Sequence, residues 1–408
     1  MRIAFFSHYF PPEGNAPASR TYENCKRWVH AGHKVTVITC TPNVPNGVVY
    51  EGYRNRIFQR EMIDDVEVIR VWTYIAANKG RFRRIMNFIS YLFSATIYSL
   101  FLTRPDVIIA TSPQFFCGWT GLLASKLRRI PFILEIRDIW PESIQAVGAM
   151  HGGMVIRLLE WMELKMYASA RHIVTVGEGY RQRLIEKNVP GDKLSVVMNG
   201  VDRDLFIPQE KDVALVEEYG LQGKFICSYI GTIGMACALD VVLRAATILK
   251  HGGRSDIVFL LIGDGAIRAE LEAEACRLEL DNVIFTGRQK KSVIPSFLSI
   301  TDACLVHLKK TDLFTSVMPS KIFEAGGMAR PVIMGVQGSA AEIVEAARMG
   351  VFMEPENEHE LVAAARKLAE DPLLSKKYGR AGYSFIVEHF DRDKLAEEYL
   401  GIIRGLIH

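Results

Sequence analysis

Val258-Phe-Leu-Leu-Ile262 runs into Gly263-Asp-Gly265 and then into a helical pattern over Ile267–Leu278. An apolar run with no polar interruption suits a strand buried on both faces, as in a parallel sheet. The glycines allow the sharp turn a strand needs before its helix. The same unit recurs in both directions. Downstream and upstream in the second half, strands are predicted at Phe225–Ile230, Val283–Thr286, Ala303–Leu308 and Pro331–Met334, with helices such as Leu239–Lys250 between. In the first half they are predicted at Ile3–Ser7, Val35–Thr39, Val66–Val71, Asp106–Thr111, Phe132–Ile136, His172–Val176 and Leu194–Met198. Strands alternating with helices mean βαβ units and parallel sheets.

The alternation stops at residues 201–224, where Asp202–Glu218 is polar and contains Pro208. The chain therefore divides into a first domain over 1–201, a linker over 202–224 and a second domain over 225–385. The last helix, within 386–408, has no strand after it and is expected to cross back to the first domain. A chain of 408 residues is long enough for two domains. The fold class is α/β, with two Rossmann-like doubly wound domains. Such domains bind ligands beyond the C-terminal ends of their strands. Facing each other across a cleft, two of them would hold two substrates.

The seven cysteines are scattered, with no C-x-x-C pair. That argues against a disulfide framework or a zinc site and for a reducing cytoplasm. No signal-peptide layout precedes the first strand. Residues 1–200 hold 25 Lys and Arg against 16 Asp and Glu, a net of +9, while the remainder holds 24 against 30, a net of −6. A basic half suits an anionic surface or substrate, and ordinary surface variation is the competing explanation. The ten histidines lack metal-ligand spacing, and Asp202-Arg-Asp204 sits in the linker, so no metal and no cofactor are expected. No nucleic-acid partner is expected either.

Candidate site residues lie after the strands. His8 opens a long loop in which Gly14 and Asn15 permit close backbone approach, and Ser19 is a candidate helix cap. Long loops of this kind are often functional. Arg137-Asp138 follows Phe132–Ile136 directly, and Trp140-Pro141-Glu142 come next. Asp138 has the chemistry to accept a sugar hydroxyl's proton, or the Arg–Asp pair simply holds the loop. In the second half, Ser316, Pro319, Ser320, Lys321 and Glu324 crowd one helix start. Pro319 suits the first turn and Ser320 a cap, while Lys321 and Glu324 share a face. A helix start attracts phosphate, a lysine adds charge, and a carboxylate one turn on can take two ribose hydroxyls. An exposed Lys–Glu salt bridge is the alternative. Gly231-Thr232-Ile-Gly234 and Gly263-Asp264-Gly265 are two glycine loops at strand ends, neither with the dinucleotide spacing. Gly338-Ser-Ala-Ala-Glu342 reads as a capping box.

Taken together, these residues resemble the retaining glycosyltransferases of family four, which have the GT-B fold. The branch most similar builds bacterial O-antigens and capsules and is typified by N-acetyl-L-fucosamine transferases. The resemblance rests on Tyr9-Phe-Pro-Pro-Glu13, Arg137-Asp-Ile-Trp-Pro-Glu142, Asn199-Gly-Val-Asp202, Gly231-Thr-Ile-Gly234, Gly263-Asp-Gly265, Val306-His-Leu308, Pro319-Ser-Lys-Ile-Phe-Glu324 and Arg330-Pro-Val332, in the family's order along nearly the whole chain. It implies that the second domain binds a UDP-sugar and the first a lipid-linked or glycan acceptor. Glu324 matches the second glutamate of the family's E-x7-E, which holds the ribose. Ser316 stands where the first glutamate belongs, and Thr232 and Cys237 stand roughly where diphosphate-gripping Arg and Lys are usual. Lys321 is then the expected phosphate cation, with Arg288 and Lys291 as reserves. Transfer with retention is implied, the leaving diphosphate stabilised by nearby cations and domain closure keeping water out.

A UDP-sugar 2-epimerase and a non-catalytic sugar-binding protein are the alternatives. Uncharged Ile85–Leu102, preceded by Arg81, Arg83 and Arg84, is borderline in length for a span. It is expected to be a helix of the first domain, either wholly core or with one face against lipid beside Lys126, Arg128 and Arg129. The expected location is the cytoplasmic face of the membrane, on anionic lipid.

Overall fold

In a computed structural model of the chain, residues 1–44, 46–76, 81–142 and 153–407 are described. The chain forms two units, Met1–Met198 with the segment from Asp393 onward, and Asn199–Arg392. The first unit is built on β1 (Arg2–Phe6), β2 (Lys34–Cys40), β3 (Phe58–Ile63), β4 (Val66–Val71), β5 (Val107–Thr111), β6 (Phe132–Ile136), β7 (His172–Thr175) and β8 (Leu194–Val196). They lie in the order β3-β4-β2-β1-β5-β6-β7-β8. All pairs are parallel except β3 with β4. The central strands β5 and β6 are buried throughout; they are mostly apolar, and the one charged residue in them, Glu135, pairs with Arg20 at 3.1 Å.

The second unit has β9 (Phe225–Ile230), β10 (Ile257–Ile262), β11 (Val283–Gly287), β12 (Ala303–His307), β13 (Val332–Gly335) and β14 (Gly350–Phe352), in the order β11-β10-β9-β12-β13-β14. The chain moves outward from β9 through β11 and then returns to the other side of β9. Strands β9 and β12 pair only at Cys227–Ala303 and Ser228–Cys304 and then part. That gap is the switch point of a doubly wound sheet, where ligands bind. In the first unit the corresponding point lies between β1 and β5.

Two strands escape the sequence reading. β3 is Phe-Gln-Arg-Glu-Met-Ile, an edge strand alternately exposed and half-buried, so it carries too little apolar signal. β14 has only three residues. The stretch 202–224 is also not a free connector. Its helix Val213–Glu218 is capped by the Asp212 carboxylate, and Leu221 is buried with Ile226, Val258 and Phe297 in the second unit's core. The final helix, Arg392–Ile407, packs Leu395, Tyr399, Leu400 and Ile403 into the first unit's core. There Tyr399 meets Trp28 edge-on at 5.2 Å, and the Trp28 indole donates to the Ala396 carbonyl at 3.0 Å.

Candidate functional site

After β9 the glycine loop continues the sheet's pairing for a few residues. The Gly231 N–H donates to the Ile262 carbonyl at 2.8 Å and the Ile233 N–H to the Asp264 carbonyl at 3.0 Å. The alternate N–H groups, of Thr232 and Gly234, have no partner among the described residues. The two loops touch through their backbones. Gly263 has φ +149°, and a Cβ there would stand 1.8 Å from the Gly231 oxygen. A Cβ on Gly265 would stand 2.2 Å from the Ile233 oxygen. Glycine is therefore required at both positions. Asp264 turns its carboxylate onto the Gly265 N–H at 2.8 Å and lies 3.9 Å from Arg268, so it shapes its own loop.

Lys321 opens the helix Lys321–Gly327. Its ammonium donates to the Tyr229 hydroxyl at 2.8 Å and sits 4.0 Å from that ring's centre. It also lies over Gly231, where a Cβ would come within 2.7 Å of the Lys321 Cε. The expected alternative, a salt bridge to Glu324, is not formed. Burial pushes the Lys321 pKa down, opposed by Cys237 and Glu324. The Glu324 carboxylate is half-buried and accepts no hydrogen bond among the described residues. Burial raises its pKa, while Lys291, Arg392 and Lys321 pull it down. Lys321 and Glu324 line one pocket with Ser228, Ile230 and Leu305, in the gap where β9 and β12 part. A cation, an unpartnered carboxylate and two free N–H groups thus share the switch point.

Other expected roles change. Ser320 has helical backbone angles already and makes no side-chain cap, and Pro319 precedes it outside the helix. Ser316 is buried within the turn Asp312–Ser316. Gly338, not Ser339, is the cap of its helix, and the expected capping box with Glu342 does not form. A Cβ on Gly338 would lie 2.2 Å from the Thr315 oxygen, which is why glycine stands there at φ +76°. Arg288 is exposed directly after β11. His307 takes a hydrogen bond from the Glu356 N–H at 2.8 Å and meets the Cys237 carbonyl at 2.8 Å, so a buried neutral imidazole bolts the loops together. Burial lowers its pKa accordingly.

In the first unit, Asn15, not Ser19, caps the helix Ala16–His30, its side chain accepting from the Ala18 N–H at 2.9 Å. Gly14 has open space where a Cβ would be. His8 is buried among Tyr9, Phe88 and Tyr91, and its Nδ1 has no partner among the described residues. Burial lowers its pKa to about 4. Arg137 donates to the carbonyls of Pro17 at 3.1 Å and Ala16 at 3.0 Å, which ties its loop to the start of that helix. Asp138 is half-buried, and its N–H and that of Arg137 both donate to the Ser112 Oγ. Trp140 stacks on Phe115 at 5.4 Å. Glu142 accepts from Lys187 at 2.7 Å.

Several contributors carry no motif signal. Tyr229 lies inside a strand and reads as core. Ser112 is one more serine after a strand. Glu13, one more residue of the long loop after β1, has a buried carboxylate that accepts the N–H groups of Asn43 at 3.0 Å and Val44 at 3.1 Å. Burial raises its pKa to about 7 against those bonds.

Known proteins share this architecture. Residues 15–200 match the family described as Glycosyl transferase 4-like domain, and residues 215–385 match Glycosyl transferases group 1. A relative from Escherichia coli K12, named as the colanic acid biosynthesis glycosyl transferase WcaI, is 26% identical over 425 residues, covering 99% of this chain and 100% of the relative. The structure of Anabaena Alr3699/HepE in complex with UDP and glucose superposes with a TM-score of 0.77 at 16% identity, covering 99% of both chains. That of WaaG, a glycosyltransferase involved in lipopolysaccharide biosynthesis, superposes with a TM-score of 0.71 at 14% identity, covering 99% of this chain and all of the other. These likenesses give the fold as GT-B.

Proposed function

Since the chain belongs to the glycosyltransferases, a 4-like domain followed by a group 1 domain, we propose that it moves a sugar, with retention, from a UDP-sugar to a lipid-linked or glycan acceptor during bacterial surface polysaccharide synthesis. The observation that carries the donor half is the grouping of Lys321, Glu324 and the free Thr232 and Gly234 N–H groups at the switch point of the second unit. A carboxylate without a protein partner suits two ribose hydroxyls, and an ammonium beside free N–H groups suits a diphosphate. The relatives' names support the pathway: one is named for colanic acid biosynthesis and one for lipopolysaccharide biosynthesis, and HepE was solved with UDP.

In this reading the donor's diphosphate gains charge as the glycosidic bond breaks, and Lys321 with the loop N–H groups stabilises it. The acceptor hydroxyl attacks from the same face, and the leaving phosphate takes its proton. Asp138, near the first unit's switch point, is the acceptor-side candidate, with Arg137 positioning its loop. His8 shares that region as a buried packing residue, with Gly14 and Asn15 on the same loop. Arg288 is a reserve on the donor side. The reaction needs no resident metal or cofactor.

The membrane half rests on two helices. Arg81–Ser99 buries Phe88, Tyr91, Ala95 and Tyr98 and exposes Phe82, Phe93 and Ile97, so it is amphipathic rather than wholly core. Met154–Ser169 adds exposed Met154, Val155, Leu158, Trp161 and Leu164. Arg83, Arg84, Lys126 and Arg129 are exposed nearby, whereas Arg128 is spent on the carbonyls of Ser99 and Leu102. An apolar stripe with cations fits anionic lipid at an interface. Among the described residues no helix is long and apolar enough to cross a membrane.

The deciding assay incubates a panel of UDP-sugars with and without lipid-linked acceptor. Acceptor-dependent UDP release is expected. Acceptor-independent conversion of the sugar would point instead to an epimerase.

A further inference from the structure

The Lys321 ammonium is bonded to Tyr229, and Tyr229 has no sequence signature that would mark it. The phenol is fully buried, and burial holds its pKa well above the ordinary value, so it stays neutral. Its hydroxyl donates to the Thr232 carbonyl at 2.8 Å and accepts from Lys321 at 2.8 Å. The Cys237 thiol lies 2.9 Å from the same oxygen and 3.2 Å from the Thr232 carbonyl. One hydroxyl thus joins the ammonium to the glycine loop whose Thr232 and Gly234 N–H groups are free. The ring face lies under the same ammonium.

A lysine side chain has four rotatable bonds and roughly 2 kcal/mol of rotamer entropy to lose. Left untethered, it would face a half-buried site with nothing to hold it, and burial would favour the neutral amine. Tyr229 answers both problems. Its lone pair and ring favour the charged form, and they hold that form beside Gly231. A lysine ammonium has three N–H groups. One is taken by Tyr229, and no second partner exists among the described residues.

We propose that Tyr229 is a positioning residue that holds the Lys321 ammonium against the glycine loop, ready for the diphosphate of the nucleotide donor. This rests on the reading of Lys321 as the phosphate cation. The chain thereby replaces the loop cations that Thr232 and Cys237 do not provide. The cation comes from the Lys321–Gly327 helix instead, and Tyr229 carries it to the loop.

The test compares Tyr229→Phe, Lys321→Met and the double variant in UDP and uridine titrations and in turnover. Tyr229→Phe keeps the ring and its volume and removes only the oxygen. It is expected to weaken UDP by about tenfold, the scale of one charge-assisted hydrogen bond, while uridine is unchanged. The alkaline limit of UDP binding should move to lower pH, because the ammonium loses a bond that favours its charged form. The double variant should bind UDP no worse than Lys321→Met alone, since both changes break one connection. If Lys321→Met leaves UDP affinity unchanged, the phosphate reading fails and the inference with it. If Lys321→Met weakens UDP but Tyr229→Phe does not, or if Tyr229→Phe weakens uridine equally, only the role of Tyr229 is overturned.

Discussion

Glu324 shows what a single residue can and cannot say about itself. Its place one turn after Lys321 is visible in the sequence, and the salt bridge that spacing permits is the ordinary expectation. In the folded chain Lys321 goes to Tyr229, and the carboxylate is left without a partner among the described residues. Half-burying an unpartnered carboxylate is unfavourable unless a ligand takes it. Glu324→Ala is expected to weaken UDP by roughly 10–150-fold, the loss of about 1.5–3 kcal/mol for a charged hydrogen bond. Calorimetry with folded variant protein checks this, and unchanged affinity would remove Glu324 from the ribose site. The pH dependence has a definite sign. Burial raises the carboxyl's pKa, and the proton competes with ribose. UDP affinity should therefore fall on acidification sooner than an exposed glutamate, at pKa ~4.3, would allow. Glu324→Gln should flatten that fall. Lys321→Met should weaken UDP far more than uridine, because only UDP carries the phosphates.

At the scale of elements, the loop after β1 is held by a carboxylate. The pKa of Glu13 is about 7 in the folded chain against a reference of 4.5. A raised carboxyl pKa means a stabilising contribution that is complete below pH 4.5 and is lost as pH rises through about 7. Glu13→Gln keeps an acceptor for the Asn43 and Val44 N–H groups and should remove that decline. Urea midpoints of wild type and variant across this range check it, the difference mattering because His8, lowered to about 4, works in the opposite sense as pH falls. The helices Arg81–Ser99 and Met154–Ser169 expose large apolar side chains. If their exposed faces meet lipid, the protein floats with anionic liposomes at low salt, and Phe93→Ala with Trp161→Ala reduces binding by roughly tenfold or more, given ~1.5–3 kcal/mol for a fully buried large apolar side chain. Wild-type protein that stays unbound at low salt ends the membrane reading.

For the whole molecule, the decisive feature is that the chain leaves the first unit at Met198 and returns to it at Asp393. The last helix supplies core to a sheet that begins almost 400 residues earlier in sequence. Tyr399 is its largest buried side chain, and its hydroxyl has no partner among the described residues. Tyr399→Ala should destabilise the first unit by about 3–5 kcal/mol, as large aromatic deletions do. Tyr399→Phe should be neutral or stabilising by up to about 1 kcal/mol, since it removes an unsatisfied polar atom. Urea unfolding of the two variants tests the pair. A large loss in Tyr399→Phe would mean that the hydroxyl has a partner.

Sequence alone determined the alternation of strands and helices, because burial on both faces of a parallel sheet leaves an unbroken apolar run such as Val258–Ile262. It also determined the glycine loops and the Lys321–Glu324 spacing, since both are local requirements of backbone and helix geometry. What it could not determine were properties that depend on residues far apart in the chain. The edge strand β3 has its apolar signal diluted by solvent. The polar stretch 202–224 packs on the second unit only because Leu221 finds Ile226 and Phe297. Asn15 and Gly338, not Ser19 and Ser339, stand at their helix starts, and Ser320 holds its N-cap position without a side-chain cap bond. The partner of Lys321 was decided by tertiary structure alone. Tyr229 lies 92 residues away and is brought alongside by the sheet, and no local pattern records a contact that only folding creates.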